Sequence, residues 1–231
     1  MIDLEKNVLK PSWPAGFFIT GTDTDVGKTY ATGCIGLSLI KQGKKVAPRK
    51  PIASGCIPQT DGTLLSEDAL FIKQACLSQE SLSTICPHTF IPAISPQRAL
   101  VQAKKNITTH DLTLACHTPN SHFALIEGAG GFYSPLAIDG LNVDLAQALN
   151  YPVILVVGNK LGCINHARLT IEAIKVSNLA LHSVIVNDTD TTADKDNVTD
   201  IQALLKKDAT PCYHLAYSEN FTAQAIPGFK I

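Results

Sequence analysis

Short apolar runs alternate with stretches whose apolar residues recur at helical spacing, from residue 17 almost to the end of the chain. FFIT at 17–20 is the first run, and a segment of helical period follows from Lys28 to Gln42, closed by Gly43. KKVAPRK at 44–50 predicts the second strand. This alternation is the pattern of βαβ units, whose strands are buried on both faces.

The next sixty residues are less regular. Helices are predicted from Ser66 to Ala75, from a Ser95 cap and Pro96 in the first turn to Lys104, and from Thr109 to Cys116. HFALIE at 122–127 predicts a strand ending in the turn sequence GAGG. A helix over Asn142 to Leu149, the strand PVILVVG at 152–158, a helix from Ile164 to Ser177 and the strand SVIVN at 183–187 follow. TADKDNVTDIQALLKK contains a helix, and CYHLAY at 212–217 reads as the last strand. The expectation is a single α/β domain over 16–231, a mostly parallel sheet with helices on both faces and ligands outside the carboxyl ends of the strands. Residues 1–15, with Pro11 and Pro14, read as an N-terminal arm outside the core.

Composition narrows the picture. The 231 residues, 45% apolar, suffice for one sizeable core. A formal charge of −1 carries no general attraction to nucleic acid or an anionic membrane, so neither is an expected partner and any anion recognition must be local. The seven cysteines form no CxxC and no zinc-finger pairing with histidine, and they read as thiols of a reducing compartment. The first residues hold no apolar run of signal-peptide type, and Val153 to Val157 falls far short of the roughly 20 residues a membrane helix needs. A cytoplasmic protein is expected.

Chemistry concentrates in GTDTDVGKT, Gly21 to Thr29. Counted from Thr22, four residues precede Gly27-Lys28-Thr29, which is the phosphate-loop spacing with Thr in the leading position. Gly27 lets backbone N–H groups point inward, Lys28 reaches the β- and γ-phosphates, and Thr29 offers a hydroxyl to Mg²⁺. The candidate nucleotide-binding positions are Asp25, Val26, Gly27, Lys28, Thr29 and Tyr30, and the fold expectation becomes P-loop NTPase-like. A strand-to-helix turn whose lysine faces solvent is the plainer reading. The strand before GKT and the helix after it favour the phosphate loop.

GTDTDVGKT, KPIASG (50–55), SED (66–68), EGAGG (127–131), VILVVGNKLGCINHA (153–167) and VND (186–188), in this order, resemble the dethiobiotin synthetase family. The resemblance implies an ATP-dependent ligase of biotin biosynthesis that closes a cyclic urea on 7,8-diaminononanoate with CO₂, giving dethiobiotin, ADP and phosphate. It implies a carbamate, then a carbamic-phosphoric anhydride that the second amine opens. Lys50 is then the active-site lysine beside the carbamate and, with Lys28, a catalytic cation. Thr29, Asp68 and Glu127 would hold Mg²⁺, a hard ion suited to a few protein oxygens plus phosphates. Gly128, Ala129 and Gly130 would let backbone approach ATP.

Asn187, followed by Asp188, matches the residue that reads adenine, and Thr24 and Ser54 would contact substrate. Leu161, Gly162, Cys163, Ile164 and Asn165 open a helix whose N–H groups would take the substrate carboxylate from the partner subunit of a homodimer. Plainer roles also fit: Asp68 suits a helix first turn, Lys50 a strand end, Asn187 a turn and Cys163 a core. The chain departs from the family at Asp25, where Glu is frequent, and at CYHLAYSEN, where Gly-x-Ile-Pro is usual; Ala216 and Tyr217 are the residues expected to border the base. A cobyrinic-acid-type synthase would need a further glutaminase domain, for which the stretch after residue 188 is too short. Partition ATPases carry an extra lysine near the first glycine, where this chain has Gly21, Thr22 and Asp23.

Overall fold

The computed structural model describes residues 15–231, and the arm expected at 1–15 lies outside them except for Ala15. Six parallel strands form the main sheet: β1 (Gly16–Gly21), β2 (Val46–Arg49), β3 (Phe123–Gly131), β4 (Val153–Gly158), β5 (Leu181–Asn187) and β6 (Cys212–Leu215). Their order is β6-β5-β4-β1-β3-β2. The helices that position the site are α1 (Lys28–Lys41), α2 (Glu67–Ala75), α3 (Pro96–Gln102), α4 (Thr109–Ala115), α5 (Asn142–Leu149), α6 (Cys163–Val176) and α7 (Asp196–Leu205).

Successive residues of one strand point to opposite faces, and both faces are dry. Phe18, Ile126, Leu155 and Val186 join one buried cluster with residues of α5, α6 and α7. Phe17, Ile19, Leu125, Ile154, Val156 and Ile185 join a second with α1. The central strands β1 and β4 therefore read as continuous apolar runs rather than alternating ones.

Local chemistry sets the helix ends. Gly43, at φ 78°, turns the chain after α1, and the Gly43 and Lys44 N–H groups donate to Ile40 and Leu39 carbonyls. Ser66 caps α2 by accepting from the Ala69 N–H. A Cβ on Gly33 would lie 2.6 Å from Phe71 and 2.9 Å from Ala75, so this glycine lets α1 and α2 approach closely. That approach carries Asp68, in the first turn of α2, toward the start of α1.

The structure corrects several boundaries. β2 is shorter than 44–50, β6 stops at Leu215 rather than 217, and α6 begins at Cys163, one residue early. GAGG is not a turn after the third strand but its continuation to Gly131. There the ladder shifts register between Ile19 and Gly21, so that Gly21 pairs with Gly131. Side-chain-free residues allow such an irregularity without losing the pairing.

At the end of β2, Arg49 is almost fully buried, with 2% of its side chain exposed. It makes two bonds of 2.7 and 2.8 Å to Glu80 and donates to the His117 carbonyl. The bonds from Arg49 hold the Glu80 carboxyl below its usual range, so folding is favoured above about pH 4.5 and that support is lost as pH falls through the folded value. Glu80→Gln leaves the buried guanidinium uncompensated. The expected loss is about 3 kcal/mol at neutral pH, read as a thermal melt lower by on the order of 10 °C and as a shallower acid limb below pH 4.5.

Candidate active site

The loop after β1 is built by backbone geometry. Gly21 ends the strand, the Thr22 N–H donates to Val156 O, and Asp25 (φ 57°) and Gly27 (φ 87°) both take left-handed conformations. A side chain at Gly27 would be strained by its φ and would strike the Asn187 amide at the end of β5. Val26 is in the core, so only its backbone serves the loop; its carbonyl accepts from Asn187 Nδ2 at 3.2 Å. Lys28, with 7% exposure, donates its ammonium to the Asp23 carbonyl at 2.8 Å, folding back along the loop. Burial first, and then repulsion from Lys50, lower its pKa to about 8.

Beyond the loop lies a charge cluster drawn from α1, α2, β3 and the residue after β2. Lys50 Nζ is 2.6 Å from Glu127 Oε1 and 2.8 Å from Asp68 Oδ2. Thr29 Oγ1 donates to the same Glu127 oxygen at 2.9 Å. Glu127 is wholly buried in β3, and its second oxygen, Oε2, has no partner. Burial alone would push the Lys50 ammonium down, but the two carboxylates outweigh it and hold its pKa above that of an ordinary lysine. Asp68 is half exposed; its burial raises the carboxyl pKa, and Lys50 overcomes that and lowers it.

The cluster floors a cleft of about 690 Å³ lined by Thr24, Lys28, Ser54, Ala129, Gly130 and Ser134 among others. A second cavity, about 150 Å³, opens beside it between Asn187, Asp188, Thr189, Tyr217 and Ser218. Asp25, Gly27, Tyr30 and Phe221 border both. The geometry suits an elongated, anionic ligand whose charged end meets the two lysines and whose other end reaches the small cavity.

The family model described as "AAA domain" matches residues 15–211. The ATP-dependent dethiobiotin synthetase BioD of Xanthomonas campestris pv. campestris is 34% identical over 215 residues, covering 91% of this chain and 94% of that protein. The chain belongs to the dethiobiotin synthetase family. The enzyme of the same name from Yersinia pestis bv. Antiqua is 40% identical over 174 residues, covering 74% of this chain and 72% of that one. A ParA family ATPase from Chlorobium tepidum TLS shares the fold at 15% identity, with a TM-score of 0.51 over 90% of this chain and 86% of that one. That likeness bears on fold alone.

Set against the synthetase resemblance, Thr24, Asp25, Gly27, Lys28, Thr29, Tyr30, Lys50, Ser54, Asp68, Glu127, Ala129 and Gly130 all line the large cleft. Gly128 does not line it; a Cβ there would meet Asn142 Oδ1 at 2.5 Å. Leu161 to Asn165 are not part of its lining either. The Leu161 side chain is fully exposed, Cys163 is buried, and the Cys163 N–H is already bonded to Lys160 O, so that N–H is not free. Asp188 lines the small cavity, yet its carboxylate is taken by Asn159 Nδ2 at 2.8 Å and His214 Nε2 at 2.9 Å. Tyr217 borders the small cavity; Ala216 does not line it.

Two residues escaped the sequence reading. Asn142 was legible only as a helix start, but its buried amide accepts from Ala129 N–H and donates to the carbonyls of Ala129 and Gly131, pinning the glycine run at the cleft. Its signal is a fully buried amide, which sequence does not display. Phe221 lies just past the divergent stretch CYHLAYSEN, which opens with β6, and borders both cavities.

Proposed function

We propose that this chain performs the reaction of its family: ATP-dependent ring closure of 7,8-diaminononanoate with CO₂ to dethiobiotin, with release of ADP and phosphate, in biotin biosynthesis. The observation that carries this reading is the meeting of Lys28 and Lys50 with Thr29, Asp68 and Glu127 at the floor of one cleft, in a chain of this family.

The chemistry asks for that set. CO₂ adds to one amine, which loses a proton and becomes a carbamate. The carbamate oxygen attacks the γ-phosphorus as ADP leaves, and the second amine then attacks the carbamoyl carbon, expelling phosphate. Carbamate and triphosphate repel each other, so fixed cations and aligned N–H groups stabilise the charge as it shifts. Lys28 serves the phosphates and Lys50 the carbamate. Thr24 and Ser54 border the diamine, and the amides of Asp25 to Tyr30 wrap the phosphates.

Thr29, Asp68 and Glu127 fit Mg²⁺. All are oxygen donors, and Glu127 Oε2 is a buried acceptor without a partner. Bound there, Mg²⁺ would neutralise charge on the β- and γ-phosphates. Asn187 is assigned to adenine. The exposed Leu161 and the helix start at 161–165 support a homodimer in which each α6 completes the neighbour's substrate site. No helix among the described residues is long and apolar enough to cross a membrane. The seven free thiols support a cytoplasmic location.

Incubating the purified protein with diaminononanoate, bicarbonate and MgATP is expected to yield ADP and dethiobiotin together, read by mass spectrometry. ATP turnover that is equally slow with and without the diamine, with no cyclic urea, would refute the assignment.

A further inference from the structure

We propose that Phe221 is the stacking face for the nucleobase of ATP, a positioning residue that supplies affinity without choosing between bases. The proposal deepens the reading of the loop as a nucleotide site and rests on it.

Four observations converge on this ring. Phe221 borders both the triphosphate-sized cleft and the small cavity, at their junction. It leaves 53% of its surface exposed although it packs against Phe71 (centroids 4.9 Å apart) and Tyr30 (5.2 Å), so the three rings form a partly exposed aromatic ledge. Its φ is 43°, a left-handed conformation that a bulky side chain rarely adopts. And the strain is held by a well-tied segment. The Phe221 N–H donates to Ser218 O, the Tyr30 hydroxyl to Thr222 O, Gln224 Nε2 to that same hydroxyl, and the Ile226 N–H to Ser38 Oγ of α1.

Folding alone gives no reason for this arrangement. A large apolar ring exposed at a polar rim gains little from burial, and a strained backbone is retained where its surroundings over-determine it, which recurs at ligand clamps. The ligand that suits the ledge has a flat π-face and is joined to an anion running toward Lys28. A nucleobase meets both conditions. Every base has a π-face, so stacking is tolerant of base identity. Selection then falls to Asn187, which lines the same small cavity and whose Oδ1 is buried without a partner.

Calorimetric titration of the full chain in Mg²⁺ with ADP, GDP and inorganic tripolyphosphate separates the possibilities. Phe221→Ala is expected to weaken ADP and GDP alike, by about tenfold or more, and to leave tripolyphosphate unchanged; Phe221→Tyr is expected to keep ADP affinity. Should the alanine variant not fold, Phe221→Leu carries the same expectation. Unchanged ADP affinity overturns the proposal, and so does an equal loss for tripolyphosphate, which marks a merely structural role. If the unaltered chain binds neither ADP nor tripolyphosphate, the nucleotide reading itself falls and the proposal with it.

Discussion

Lys50→Gln is expected to slow ring closure at saturating substrates by roughly 10²–10³-fold while ADP still binds and still raises the melting temperature. In the proposed reaction the loop amides and Lys28 address the triphosphate, whereas Lys50 faces the carboxylate side of the cleft, so affinity and rate are expected to separate. The structure adds a consequence that a motif cannot show. Lys50 is the cation that compensates the fully buried Glu127 and the neighbouring Asp68. Removing its charge leaves Glu127 uncompensated, a change that typically costs about 3–5 kcal/mol. The ligand-free variant should therefore melt well below the unaltered chain, and MgADP should recover more of that loss than it adds to the unaltered chain. Paired measurements, a melt with and without MgADP and turnover at saturating ATP, check both halves. Weak nucleotide binding with full turnover at saturating ATP would contradict the role given to Lys50.

Lys28→Met has the opposite sign for stability. Lys28 is almost buried, has Asp23 O as a hydrogen-bond acceptor and is repelled by Lys50. Its folded pKa of about 8 lies below the ordinary 10.5, so the unfolded chain binds that proton more tightly. The charged lysine therefore costs the fold most below pH 8, on the order of 3 kcal/mol, and the cost is relieved as pH rises from about 8 toward 10.5. The methionine variant is expected to melt higher than the unaltered chain at pH 7, by an amount that shrinks between pH 8 and 10. It should also lose turnover by about 10³-fold or more, together with the stabilisation by ADP, because the phosphates lose their cation. A variant less stable than the unaltered chain at pH 7 would show that the Lys28 contact to Asp23 outweighs its desolvation.

The two lysines differ in how far sequence could take them. Lys28 belongs to a local device: strand, left-handed glycine and helix start follow one another within nine residues, and the spacing from Thr22 states the arrangement. Lys50 and Glu127 are 77 residues apart, and only the motifs around them suggested that they meet. Asp188 was legible in part. Its place after Asn187 suggested a ligand contact and it does line the small cavity, but only the tertiary structure shows that Asn159 and His214 hold its carboxylate. GAGG read as a turn because glycines usually punctuate, and it is a strand because β1 offers a bulged partner.

What the sequence by itself determined was whatever a few neighbouring residues decide: apolar runs buried on two faces, the end of α1 at Gly43, the phosphate-loop register and, through its motifs, the family. Only the tertiary structure decided that Lys50 neutralises Glu127 and Asp68, that Lys28 is a costly buried cation, that Asn142 clamps the glycine run and that Phe221 stands between two cavities. The energy of a charge or an aromatic face depends on distance and on the water it loses. Those quantities are set by which strands and helices pack together, and no stretch of sequence contains them.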